Sequence, residues 1–261
     1  MTHTHIFAGN SAPTSYVSNV FIGFSTSMTF WGRSFNTLMY MFETTFNYFV
    51  ADPMQEAVKK KYFPNYPDLD SINKNISLFL INNHESINSP IPSVPNMINI
   101  LGFHLKEENT LPKNLQDYID SAHEGVILFS FGSFVNPSQL SPRVKQAFVK
   151  ALGKLKQKVL WKSDEDSFLG KPNNIKLSKW LPQEDILAHP NCKLFITHAG
   201  FLSTIETIYH GVPVLTFPLT GDQDLNAFRA VEIDMGHTAV LRDITEEKLD
   251  YFLDQLLHND K

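Results

Sequence analysis

The sequence predicts an α/β protein of two lobes, the second of them a doubly wound parallel sheet. Three observations carry the prediction. From residue 126 onward, short β-rich runs alternate with helical stretches, and strands separated by helices imply parallel crossovers. A polar, proline-containing stretch over 106–112 replaces the apolar pattern on both sides and reads as a boundary. The length, 261 residues, exceeds one typical domain, and 43% hydrophobic residues supply ample core, which excludes wholesale disorder.

Taken in order, the first hundred residues read as Phe- and Asn-rich helices, including one over 35–49. A strand over 76–82, a proline-punctuated loop over 90–95 and a short strand over 97–101 follow, and this lobe ends at Gly102. A partial first lobe thus covers 1–105, a linker 106–120 and a second lobe 121–261. The second lobe places strands over 126–131, 158–162, 175–177, 194–197, 214–217 and 238–241. Helices over 143–155, 202–210, 225–235 and 246–257 carry apolar residues near i, i+3 and i+4. Thr245 caps the last, with Glu246 and Glu247 in its first turn, while Lys248 stands where a full capping box needs an acid or amide. In such sheets ligands sit at the carboxyl ends of the strands, beside helix N-termini that offer free N–H groups.

Composition narrows the function classes. Twenty-two Lys and Arg against 27 Asp and Glu give a net charge of −5, so no basic field favours nucleic acid. The single cysteine, Cys192, forms neither an internal disulfide nor a cysteine zinc site. Residues 1–13 lack a secretory signal pattern, and Arg33, Asn36, Glu43 and Asn47 interrupt the Phe-rich segment before it reaches the length of a membrane span. The helix over 35–49 reads as core packing, with contact to a membrane surface as the alternative, against which its lack of a basic face counts. One sequon, Asn75-Ile76-Ser77, falls at the start of a predicted strand, where burial makes a poor glycan acceptor.

Four loops at strand ends carry candidate chemistry, each with a structural alternative. In Ser130-Phe131-Gly132-Ser133, Gly132 permits a close backbone approach and Ser133 offers a hydroxyl to a phosphate or to a cap. In Trp180-Leu181-Pro182-Gln183, Trp180 offers a flat face to a planar base and Gln183 a donor and an acceptor, unless the tryptophan is a core residue beside a Pro-started helix. The segment from Thr197 through His198, Ala199, Gly200 and Ser203 to Glu206 ends a strand and starts a helix. A diphosphate fits there, with His198 donating and Glu206 accepting ribose hydroxyls; the alternative is a satisfied histidine and a solvated carboxylate. Beyond Gly211-Val212-Pro213, Asp222 and Gln223 at a strand end share sugar hydroxyls, the carboxylate accepting and the amide doing both, or Asp222 caps a helix.

In this order and spacing the segments from Trp180 to Gln223 resemble the signature of the UDP-glycosyltransferases, insect members most closely. His198-Ala199-Gly200, Glu206, Gly211-Val212-Pro213, Pro218 and Asp222-Gln223 stand at signature positions, and flanking segments extend the resemblance over nearly the whole chain. The resemblance implies a GT-B fold with a Rossmann-like donor domain over 121–261 and an acceptor-side lobe before it. It implies transfer of a hexose, glucose rather than glucuronate, from UDP-sugar to a hydroxyl of a small lipophilic acceptor, with inversion, in xenobiotic conjugation. Trp180 stacks on uracil, Gln183 and Glu206 hold ribose, and Ser133, Thr197, His198, Gly200 and Ser203 surround the diphosphate. Asp222 and Gln223 grip the sugar. Leu202 stands where many relatives have Asn, Lys162 where many vertebrate members have Arg, and Ala199 where Gly is frequent, a change that is harmless at negative φ.

The resemblance further implies a catalytic histidine, oriented by an aspartate, ahead of Met1, and final helices and a membrane anchor beyond Lys261, in an endoplasmic reticulum lumenal setting. No catalytic residue is therefore assigned in this chain; His3 and His5 lie on a terminus that offers a base no fixed geometry. No metal or cofactor is expected, since Asp164-Glu165-Asp166 and Asp222-Gln223-Asp224 are short acidic patterns and a helix N-terminus already supplies positive character. The competing reading is an inactive UDP-sugar-binding or regulatory module that pairs with a full-length relative in a homo- or hetero-oligomer.

Overall fold

The computed structural model describes residues 7–24, 26–84, 87–88, 90–107, 109–132, 140–168 and 170–258. Contacts divide the chain into two compact units, Met1–Phe103 and His104–Lys261. In the first, helix α1 (Phe30–Phe46) runs through a π-helical segment (Asn47–Ala51) into α2 (Asp52–Tyr62), followed by α3 (Leu69–Lys74) and two short parallel strands, β1 (Phe79–Ile81) and β2 (Met97–Asn99). The N-terminus of α1 is set by Thr29, whose side chain accepts from the Gly32 N–H at 3.1 Å.

The residue that α1 buries is polar. Asn36 accepts from the Asn19 N–H at 2.8 Å and donates to the Thr14 and Val17 carbonyls, which fastens the loop before the helix to its flank. The aromatic side chains of α1 do not form the expected core: Phe30, Trp31, Phe35, Phe42 and Phe46 are all exposed in the described chain. The sequon also departs from expectation. Asn75 ends α3, and Asn75, Ile76 and Ser77 are exposed ahead of β1 instead of lying in a buried strand.

The second unit opens with α4 (Lys113–Asp120), which occupies the segment expected to be linker. Leu115 and Ile119, four apart on this helix, are buried, as is Leu111 just ahead of it, so the polar residues around them are the outer face of an amphipathic helix. Then follow β3 (Val126–Ser130), α5 (Pro142–Gly153), β4 (Lys158–Lys162), β5 (Ile175–Ser178), α6 (Gln183–Ala188), β6 (Cys192–Thr197), α7 (Phe201–His210), β7 (Val214–Thr216), α8 (Gln223–Glu232), β8 (Gly236–Thr238), a 3₁₀ turn (Leu241–Asp243) and α9 (Glu246–His258). Thr245 does cap α9, accepting from the Lys248 N–H at 3.3 Å.

All six strands of this unit pair in parallel in the order β5-β4-β3-β6-β7-β8. Side chains of β3 alternate between two cores: Ile127 and Phe129 join Phe148 of α5 and Leu249 of α9, whereas Val126 and Leu128 join Ile119 of α4 and Ile186 of α6. Both faces are thus covered, as a parallel sheet requires. The order also reverses direction between β3 and β6, and the crevice at such a switch point, at the carboxyl ends of the strands, is where doubly wound sheets hold ligands.

The edge strand β8 lies two residues earlier than the apolar run suggests. A Cβ on Gly236 would come within 1.8 Å of the Val214 carbonyl oxygen, so glycine permits this pairing and the apolar Val240 is left outside it.

Phe148 is fully buried, with ring centroids 4.8 Å from Phe129 and 5.3 Å from Phe217. Phe148→Ala is expected to destabilise the second unit by about 3–5 kcal/mol through lost burial and an unfilled cavity; the midpoint of denaturant unfolding checks this.

Candidate functional site

The carboxyl ends of β3, β4, β5, β6 and β7 bring most of the sequence-derived residues to one edge of the sheet. Ser130 pairs with Thr197, and Thr197 with Thr216, so β3, β6 and β7 end level. His198 follows β6 and is packed between two glycines. A Cβ on Gly132 would lie 2.8 Å from the His198 Cε1, and one on Gly200 2.8 Å from its Nε2. Gly132 also has φ +74, which glycine adopts without strain, whereas Gly200 has an ordinary φ of −60 and is needed for space alone. Ser133 lies outside the described residues, as do His3 and His5.

At the end of β6, two buried atoms, Thr197 Oγ1 and His198 Nδ1, have no hydrogen-bond partner among the described residues. Helix α7 starts immediately beyond, with Gly200 as its N-cap, a residue that has no side chain to cap the first N–H groups. The Thr197 hydroxyl, the imidazole and the positive end of a ten-residue helix make a ready anion site. Burial pushes the His198 imidazole below its ordinary pKa of 6.5; Asp222 opposes that and Lys162 adds to it.

One turn into α7 the next group forms. Gln183, the first residue of α6, donates from Nε2 to Ser203 Oγ at 2.8 Å and to Glu206 Oε2 at 2.6 Å. Burial raises the Glu206 pKa above 4.5, with Glu184 adding to the rise and the bond from Gln183 opposing it. The ring of Trp180 is 71% exposed, so the core alternative for this residue is set aside. Ser178 donates to the Trp180 carbonyl at 2.6 Å, and Lys162 Nζ stands 5.1 Å from the centroid of the indole.

Three features differ from the sequence-based expectation. Ala199 has φ +63, so its place in a frequently glycine position is strained at about 1–2 kcal/mol, not neutral. Gln223 Oε1 accepts from the Leu219 and Thr220 N–H groups at 2.9 and 3.1 Å, which leaves its amide nitrogen, a donor, as the group it can turn to a ligand. Asp222 precedes α8 without capping it by side chain. Its Oδ2 instead accepts from Asn226, a residue that the sequence reading passed over. The run Asp222 to Asn226 at i, i+4 is the signal that marks it.

Among the described residues no group of three or more His, Cys, Asp or Glu is placed to hold a metal, and no helix is long and apolar enough to cross a membrane. Asp166 stands 3.4 Å from Lys179.

Comparisons with known proteins bear on the family and the fold. The family model described as UDP-glucoronosyl and UDP-glucosyl transferase matches residues 2–261. UDP-glycosyltransferase UGT5 of Dactylopius coccus is 38% identical over 97% of the chain and 48% of its own length, and UDP-glucosyltransferase 2 of the same insect 36% identical over 92% and 47%. Human UDP-glucuronosyltransferase 1A8 is 37% identical over 96% and 47%. The chain thus spans about half the length of the curated relatives it matches. Among solved structures, the glycotransferase of kitacinnamycin gives a TM-score of 0.58 at 18% identity, covering 78% of this chain and 52% of that one. A UDP-glucosyltransferase of Polygonum tinctorium, solved with 3,4-dichloroaniline, gives 0.57 at 23% identity over 73% and 47%. These likenesses bear on the fold, which is of GT-B type.

The two neighbouring positions at the turn should respond oppositely to exchange. Ala199→Gly relieves the left-handed strain and is expected to leave stability unchanged or raise it by up to about 1 kcal/mol. Gly200→Ala drives a methyl into the imidazole and is expected to cost about 1–3 kcal/mol. Paired thermal melts of the two variants decide the matter.

Proposed function

The chain belongs to the family of UDP-glucuronosyl and UDP-glucosyl transferases, and on that premise we propose that its second unit is the donor site of a hexosyl transfer from UDP-sugar to a hydroxyl of a small lipophilic acceptor. The observation that carries the proposal is the pair of buried atoms, Thr197 Oγ1 and His198 Nδ1, that have no hydrogen-bond partner among the described residues, next to the glycine-capped N-terminus of α7. A diphosphate supplies the acceptors that both the hydroxyl and the helix N–H groups lack.

From that anchor the remaining groups fall in order along the nucleotide. Uracil stacks on the face of Trp180 that Lys162 does not cover. Ribose hydroxyls donate to Glu206, whose carboxylate Gln183 and, through Gln183, Ser203 hold in place. Asp222 and the amide nitrogen of Gln223 meet the sugar. In the reaction the acceptor oxygen gives its proton to a base and forms the bond to the anomeric carbon from the face opposite UDP, with inversion. The bond to the β-phosphate oxygen breaks, and the charge it leaves is stabilised by the α7 N–H groups and His198. Glucose, the sugar in the name of the insect UDP-glucosyltransferase 2, is the sugar we propose, and parallel titrations with UDP-glucose and UDP-glucuronate test the choice.

Calorimetry with UDP tests the reading on the chain as it stands. Saturable one-to-one binding is expected, and Trp180→Ala and Glu206→Ala are each expected to weaken it by about tenfold or more, given the usual worth of a base–aromatic stack or a charged hydrogen bond. Gln223→Ala should change UDP-sugar affinity with that for UDP roughly retained. No heat of binding with UDP would sink the proposal.

A further inference from the structure

We propose that Asn226 is a positioning residue of the donor site, coupling the turn beneath the diphosphate to the carboxylate that meets the sugar. The inference rests on the donor-site reading above and goes beyond it, because both N–H groups of Asn226 are spent on protein acceptors. Asn226 sits in α8, one turn beyond Asp222, and is 9% exposed. Its Nδ2 donates to the Ala199 carbonyl at 3.0 Å and to Asp222 Oδ2 at 3.0 Å. Both partners are acceptors, so the orientation of the amide is fixed and both of its N–H groups are used.

The two groups that it joins have separate tasks. Ala199 is the strained residue between His198 and Gly200, and its carbonyl must stay where it is for the imidazole to remain between the two glycines. Asp222 has one oxygen tethered by Asn226 and a second left to accept from a sugar hydroxyl. A donor whose diphosphate settles the turn therefore also settles the carboxylate. Without Asn226 the Ala199 carbonyl and the Asp222 oxygen are both left unpaired in a largely buried place, and the carboxylate turns toward water.

The readout is the ratio of the UDP-glucose to the UDP association constant, measured by calorimetry on the full chain. Asn226→Leu keeps the volume and removes both donors, and Asn226→Ala removes them without adding bulk or charge, so either serves if the other fails to fold. Each is expected to lower the ratio by about tenfold, the usual worth of a hydrogen bond to a charged group. In an Asp222→Ala background, Asn226→Leu is expected to leave the ratio unchanged, because its effect runs through that carboxylate. Equal losses for UDP and UDP-glucose, or effects that add in the double variant, would overturn the assignment and make Asn226 a structural staple. Failure of the unaltered chain to bind UDP would instead strike the donor-site reading and this inference with it.

Discussion

The pairing of Ser130 with Thr197, and of Thr197 with Thr216, makes the three central strands end level, and the geometry of the site follows from that register. Because β3 and β6 finish side by side, the residue two beyond Ser130 lies against the residue one beyond Thr197. Gly132 and His198 therefore meet at a distance that admits no Cβ. The chain then leaves β6 through Ala199 at φ +63 and Gly200, closing the imidazole in from the other side before α7 begins. On the next strand out, the pairing of Lys162 with Ser178 carries Lys162 to Trp180, two residues further on. A slip of one residue in β3 would turn its buried side chains to the wrong core and separate Gly132 from His198 together.

The site gathers positive character without a basic surface, in a chain of net charge −5. Its sources are local and oriented: the first N–H groups of α7, the His198 ring and Lys162. Burial holds His198 toward its neutral form, so before ligand arrives the ring is a hydrogen-bonding group more than a cation. Glu206, half-buried, accepts from Gln183, whose amide is itself held by a second bond to Ser203. A preset arrangement of this kind limits the ordering that a ligand must impose.

Much of this was legible in the sequence because the second unit obeys local rules. The alternation of strands and amphipathic helices gives the sheet, and Thr197 through Glu206 reads as a strand end, a turn of small residues and a helix start. What escaped depends on contacts between distant segments. The 113–120 helix hides its buried pair, Leu115 and Ile119, among charges that resemble a linker. The edge strand is Gly-His-Thr, a poor strand sequence that forms because glycine alone fits against the Val214 carbonyl. The aromatic periodicity of α1 suggests a core helix, yet Asn36 is what that helix buries, since three backbone groups of the preceding loop converge on it. Asn226 is marked in the sequence only by its i, i+4 spacing from Asp222; its second bond, to the Ala199 carbonyl, is a contact between distant segments that no local pattern shows.

The central claim is that His198, buried between two glycines, meets an anionic ligand at the start of α7. A nitrogen-detected NMR titration of its imidazole against pH, with and without UDP, tests this most directly. Without ligand the ring should titrate below 6.5, staying neutral as pH falls through that value. A bound diphosphate favours the protonated ring, so the pKa should rise on binding, with a proton taken up and affinity falling as pH rises through the bound value. An imidazole whose titration is the same with and without saturating UDP would contradict the account.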